Sequence, residues 1–245
     1  EFGLAHHALQ LGQRDERFAV NVAVTGRDGG FRGATLGGHL DGDVARTLRE
    51  AARSQRVTLF ALLLGGFYAL LQRLSGQDDL VCGIPFAGQA VSRYGQTVGD
   101  ADNTLPLRMA VDPDESFGAL VKRVQGRLLD AGEHQDVSIA RIAQALKLPR
   151  DTGRLPLAEV LFNFNPAVAD TPWDGVAVTH GDLPKRHMNW DIEFHFTEHE
   201  GRLDFLFHYN PDLFDAATIE RWSAYLGGIL RQGAARPEQS IWAGC

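Results

Sequence analysis

Lysine is nearly absent from this 245-residue chain: of its 24 basic residues only Lys122, Lys147 and Lys185 are lysines. Arginine supplies the rest, as a GC-rich genome would encode it, and a formal net charge of −7 leaves no concentrated cationic surface. Nucleic-acid binding needs such a surface to neutralise phosphates, so no nucleic-acid partner is expected. Cysteine occurs only as Cys82 and Cys245. Such a pair makes no disulfide framework and has no metal-ligand spacing, which fits a reducing, cytoplasmic setting. Long apolar runs are missing as well. The most hydrophobic segment, Val57 to Leu74, is broken by Thr58, Gln72, Arg73 and two glycines, whereas a spanning helix needs about 20 predominantly apolar residues. It reads as a buried helix, and no membrane partner is expected. No basic and then apolar leader opens the chain, and Glu1-Phe2 in place of Met reads as a cloning scar on a fragment. A nucleophile elbow, a P-loop and a dinucleotide-binding fingerprint are all lacking.

What is present is the composition of a folded domain, 44% hydrophobic and 22% charged, enough for one large α/β unit with its own core. Phe18–Val24 and Arg32–His39 alternate weakly like strands around Gly26, Gly29 and Gly30, so residues 1–30 read as a linker or crossover segment. Val44–Ala52 has one apolar face and a cap in Asp41 or Asp43. Thr58 caps Leu59–Leu74, which is apolar nearly all round and belongs at the centre of the fold. Asp79–Pro85 reads as a buried strand and Asn103–Val111 as another. Asp114–Glu133 forms an amphipathic helix with Phe117, Leu120, Val121, Val124 and Leu128 on its core face, and Ser138 caps a short helix to Leu146. Strands follow at Ala158–Asn165, Val176–His180, Asn189–Thr197 and Arg202–Tyr209, before Asp215 caps a helix to Gln232. On Asn189–Thr197 the period of a strand puts Trp190, Ile192, Phe194 and Phe196 on one side, and Asp191, Glu193, His195 and Thr197 on the other. His195 and His199 have no second His or Cys cluster, so no metal is expected. The order of elements implies an α/β or α+β sandwich.

Three blocks carry more specific information. Val98-Gly99-Asp100-Ala101-Asp102-Asn103-Thr104-Leu105-Pro106-Leu107-Arg108 is similar to (I/V)GxFVNTxxxR, with Asp100 and Asp102 in place of apolar residues. His134-Gln135-Asp136-Val137-Ser138 is similar to HQDxP, with Ser138 in place of Pro. Arg150-Asp151-Thr152-Gly153-Arg154-Leu155-Pro156-Leu157 is similar to RDxSRxPL. Their flanks, Arg73 to Asp79 before Gly83-Ile84-Pro85, and Tyr209 to Asp215, agree. From about Phe31 to Ile241 the chain thus resembles the C-terminal lobe of a nonribosomal peptide synthetase condensation domain, whose two-lobed α/β sandwich is that of chloramphenicol acetyltransferase. The resemblance implies that residues 31–245 form a single C-terminal lobe.

That family joins two carrier-bound thioesters by an amide in a tunnel between lobes, with an HHxxxDG motif in the N-terminal lobe. Here His6-His7 is followed by no Asp-Gly, so no catalytic residue is assigned and the chain alone is expected to be inert. The resemblance places Gln89, Arg93, Asn103, Arg108, His134, Gln135, Asp136, Arg150, Arg154 and Asp191 at the tunnel or lobe interface. In the family a G-R phrase before the first block ties the lobes through an Arg. Gly88-Gln89 stands there instead, and a neutral amide makes no charge-assisted bond, although Arg93 is near enough to replace it. The implied partners are carrier protein domains and an N-terminal lobe, with a carrier's phosphopantetheine arm as tether and no directly bound cofactor. An alternative is a non-catalytic platform that recruits carrier proteins or tailoring enzymes; a free CoA-dependent acyltransferase also needs the absent histidine. Each block has a structural reading too: Asn103 satisfying backbone groups, His134 and Asp136 capping or bridging helices, and Arg150 and Arg154 holding a loop by bonds to carbonyls.

Overall fold

The structure, a computed structural model, describes residues 32–87, 102–148, 157–165, 174–176, 184–199 and 201–242. The strand expected at Phe18–Val24 and most of that expected at Val176–His180 lie outside these. Among the described residues the elements run β1 (Ala34–Leu40), α1 (Gly42–Gln55), α2 (Leu59–Ser75), β2 (Asp79–Ala87), β3 (Asp102–Ala110), α3 (Phe117–Gly132), α4 (Ile139–Ala145), β4 (Val160–Asn165), β5 (Ile192–His199), β6 (Arg202–Tyr209) and α5 (Ala216–Ala235). The strands form one six-stranded mixed sheet in the order β1-β6-β5-β4-β2-β3. Strand β4 runs parallel to β5 and β2, and the remaining neighbours are antiparallel. This is the α/β sandwich expected.

The long helices cover one face of the sheet. Helix α2 is the centrepiece: residues Ala61 to Gln72 are all buried, as its all-round apolar sequence requires. Thr58 caps it by accepting a hydrogen bond from the Ala61 amide at 3.1 Å. Gly76 ends it in the left-handed conformation, φ +67°. Its flanks are pared to glycine where the neighbouring helices press in. A Cβ on Gly65 would stand 2.7 Å from Val121 of α3, and one on Gly66 would run into Leu230 of α5. Beneath α2, Phe67 stacks on Phe194 at 5.5 Å, and Phe162, Phe196 and Phe207 continue the aromatic layer across β4, β5 and β6. Tyr68 is fully buried and spends its hydroxyl on the Leu107 carbonyl at 2.6 Å, tying α2 to β3. Burial pushes its phenol well above the ordinary range, so it stays a neutral donor.

Several boundaries differ from the sequence expectation for local reasons. Helix α3 starts at Phe117 rather than Asp114, because Asp112 accepts the Asp114 amide at 2.9 Å in a turn and Ser116 takes the cap. Leu128 is half-buried, and Ala131 takes the end of the buried face. Asp41 occupies the cap position of α1 without a side-chain cap bond, its carboxylate lying 3.3 Å from His39. Trp190 precedes β5 and does not join the Phe194 side at all. Its ring lies over Gly83 on the opposite face of the sheet, where a Cβ would stand 2.7 Å from it.

Replacing Tyr68 by Phe leaves the Leu107 carbonyl without this donor. Chemical denaturation is expected to show a loss of about 1–3 kcal/mol with an unchanged slope in denaturant.

Candidate functional site

The first two blocks meet at the start of β3. Asn103, half-buried, donates through Nδ2 to the carbonyl of Gln135 at 2.7 Å and to that of Val137 at 2.9 Å. Both hydrogens of one amide therefore hold the turn between α3 and α4, a fixed fork that among uncharged side chains only Asn or Gln supplies. Gln135 in turn closes α3, its Nε2 donating to the Gly132 carbonyl at 2.8 Å and satisfying one of the helix-end acceptors. Ser138 caps α4 by accepting the Arg141 amide at 3.3 Å. The serine that replaces the proline of the HQDxP phrase thus starts the same helix by another route. His134 and Asp136 stand exposed on this turn, with buried Val137 between their side and α4.

The third block arrives at the same place through its last residue. Leu157 packs with Leu146 around Val137 and Ile142 in a small second core, and does so with φ +76°. A left-handed backbone costs a leucine about 1–2 kcal/mol, so packing selects it. Arg150 and Arg154 lie outside the described residues, as do Gln89 and Arg93. Asn103, His134, Gln135, Asp136 and Leu157 are therefore brought together, whereas Arg108 and Asp191 are not. Arg108 reaches over to the neighbouring strand β2 to make a two-pronged ion pair with Asp79, Nε to Oδ1 at 2.7 Å. Asp191 sits at the entry to β5, its amide donating to the Glu159 carbonyl at 2.9 Å and its carbonyl accepting from Asn210 at 3.1 Å.

The sheet face turned away from the long helices holds the rest of the polar chemistry. The register puts Thr35, His208, Glu193 and Leu161 side by side across β1, β6, β5 and β4, with Gly37, Leu206, His195 and Asn163 in the next row. Glu193 is 5% exposed and His208 4%. Lys185, on the segment leading to β5, forms an ion pair with Glu193, and His195 Nε2 lies 3.4 Å from the same carboxylate oxygen. Burial pushes the Glu193 carboxyl up, but hydrogen bonds and charge from His195 and Lys185 outweigh it and hold the group below its ordinary range. Thr35 Oγ1 lies 2.8 Å from His208 Nδ1 and accepts the Lys185 amide at 3.3 Å. The strand period placed Glu193 and His195 on one face, and the sequence offered His195 and His199 no second His or Cys cluster. His199 instead points at Asp204, 3.9 Å away. The readable signal was Gly201 ahead of β6, whose φ of +83° suits the tight return between strands that sets Glu193 opposite His208.

Among the described residues, neither region holds a cysteine. Cys82 is buried in the core, and burial pushes its thiol up, away from the reactive thiolate.

A family model described as the condensation domain matches residues 21–242. The chain is similar to surfactin synthase subunit 1 of Bacillus subtilis (strain 168), with 30% identity over 212 residues, 86% of this chain and 6% of that protein. It thus spans only a small part of such a relative. A four-domain nonribosomal peptide synthetase bound to AMP and glycine superposes with a TM-score of 0.82 at 25% identity, over 98% of this chain and 20% of that one. The X-domain in its complex with OxyB from teicoplanin biosynthesis gives a TM-score of 0.81 at 24% identity, over 98% of this chain and 54% of the other, a likeness of fold.

Replacing Asn103 by Ala removes both bonds to the turn and is expected to cost about 1–3 kcal/mol in urea denaturation. Asp at the same position turns a carboxylate on two carbonyl oxygens and is expected to cost more than Ala. Hydrogen exchange at the amides of Val137 and Arg141 is expected to quicken in both variants.

Proposed function

Because the chain belongs to the condensation-domain family, we propose that it serves as the C-terminal lobe of such a domain in a nonribosomal peptide synthetase. In this reading it forms one wall of the tunnel where an amine on one carrier attacks the thioester of another, with amide formed and thiol released. The observation that carries the proposal is the Asn103 fork, which gathers the first two blocks on one turn and leaves His134 and Asp136 exposed beside it. The likeness in fold to a synthetase at a TM-score of 0.82 supports it as well.

The division of labour follows from the side chains. The described residues offer a scaffold, exposed polar groups and a buried, inert thiol, and so orient rather than react. The proton acceptor or orienting histidine belongs to an HHxxxDG motif, which this chain does not contain. The carrier's phosphopantetheine arm brings the substrate in, and the chain itself holds no cofactor.

A second reading, a recruitment platform for a tailoring enzyme, is favoured by one observation: the fold is that of an X-domain seen in complex with OxyB. Gly88-Gln89 in place of the arginine phrase points the same way.

The two readings separate on mixing the chain with an N-terminal lobe that carries HHxxxDG and with carriers loaded with acyl and aminoacyl groups. The first predicts a stable pair that forms amide, no product from the chain alone, and a loss of product in Asn103→Ala at a temperature where that variant is folded. Retention of a tailoring oxygenase on the immobilised chain, with no amide from the mixture, supports the platform.

A further inference from the structure

The cluster of Glu193, His195 and His208 has no part in the function above. We propose that these residues form a binding site for a divalent transition-metal ion on the sheet face turned away from the long helices. Their ligand atoms all lie within 4.8 Å of one another. One edge already has the required length: Glu193 Oε2 and His195 Nε2 are 3.4 Å apart, and ligands about 2.1 Å from a tetrahedral zinc ion are separated by about 3.4 Å. Side-chain rotation brings the third atom in, since His208 sits directly opposite Glu193 in the β5–β6 register.

The donor set selects the ion. Two imidazoles and a carboxylate suit zinc and its neighbours, whereas magnesium and calcium prefer an all-oxygen cage. Three protein ligands leave a fourth position for water or an incoming group, the pattern of an open site. The surroundings provide the outer support that such sites use. Thr35 Oγ1 stands 2.8 Å from His208 Nδ1; when Nδ1 donates to it, Nε2 carries the lone pair.

Electrostatics give the site its competitor. Glu193 is 5% exposed, and a buried carboxylate needs a positive partner. Lys185 fills that role, and its side chain is 40% exposed. A metal ion neutralises the same carboxylate and releases the ammonium to water. The lysine is thus the occupant of the metal-free state, and removing it strengthens metal binding. A purely structural salt bridge makes no such prediction.

The test is calorimetric titration of the chelator-treated chain with zinc chloride, alongside its thermal midpoint. One ion per chain and a raised midpoint are expected. His195→Ala, the less buried ligand, is expected to weaken binding by more than the roughly 10–100-fold that loss of an outer-shell partner causes, with His208→Ala doing the same where it folds. Lys185→Met is expected to tighten it, and His199→Ala, at the exposed strand end, to leave it unchanged. Absence of zinc binding, binding indifferent to His195→Ala, or an affinity lowered by Lys185→Met overturns the proposal.

Discussion

The burial of α2 is the constraint on which the rest of this fold depends. A helix that is apolar on every side has to be surrounded, and here β2, β4 and β5 lie beneath it while α3 and α5 flank it. Each large side chain removed from water contributes about 1.5–3 kcal/mol, so the aromatic layer of Phe67, Phe162, Phe194 and Phe207 holds the sheet to that helix. Gly65 and Gly66 set how close the flanking helices come. Tyr68 then fixes where along β3 the helix stands, through one buried bond.

One consequence is an asymmetric sheet. With the long helices gathered on a single face, the other face is covered by segments such as 184–190, which place Met188 and the Lys185 backbone against Gly33 and Trp190 against Gly83. Such cover shields polar side chains from water, so they satisfy one another. Glu193 with Lys185 and His195, and His208 with Thr35, are the result.

The sequence patterns recover the elements where a local rule suffices. Thr58, Ser138 and Asp215 cap helices as their side chains predict, and β6 runs over the expected Arg202–Tyr209. Period-2 alternation also grouped Ile192, Phe194 and Phe196 on one side of their strand, and all three are buried in the core. It failed where the answer lies in another segment. Trp190 lies two residues before β5 and follows the loop, not the strand. The buried state of Glu193 depends on Lys185 and on a neighbouring strand. The bonds from Asn103 span more than thirty residues to Gln135, a contact visible in the sequence only as the shared order of two blocks.

The departures from the family phrases carry unequal weight once their mechanical roles are known. Ser138 replaces a proline yet still starts α4, by capping it. Asp102 replaces an apolar residue, but it is exposed at the end of β3, an edge strand, where a charge costs little and discourages further strand pairing. Asn103, whose two donors nothing smaller reproduces, is retained. The changes at Asp102 and Ser138 therefore leave the gathering of the first two blocks intact. Gly88-Gln89 is the departure that bears on pairing with an N-terminal lobe, since the resemblance implies an arginine there. There the resemblance implies a planar, charged fork, whereas this chain has a shorter, neutral amide with fewer donors.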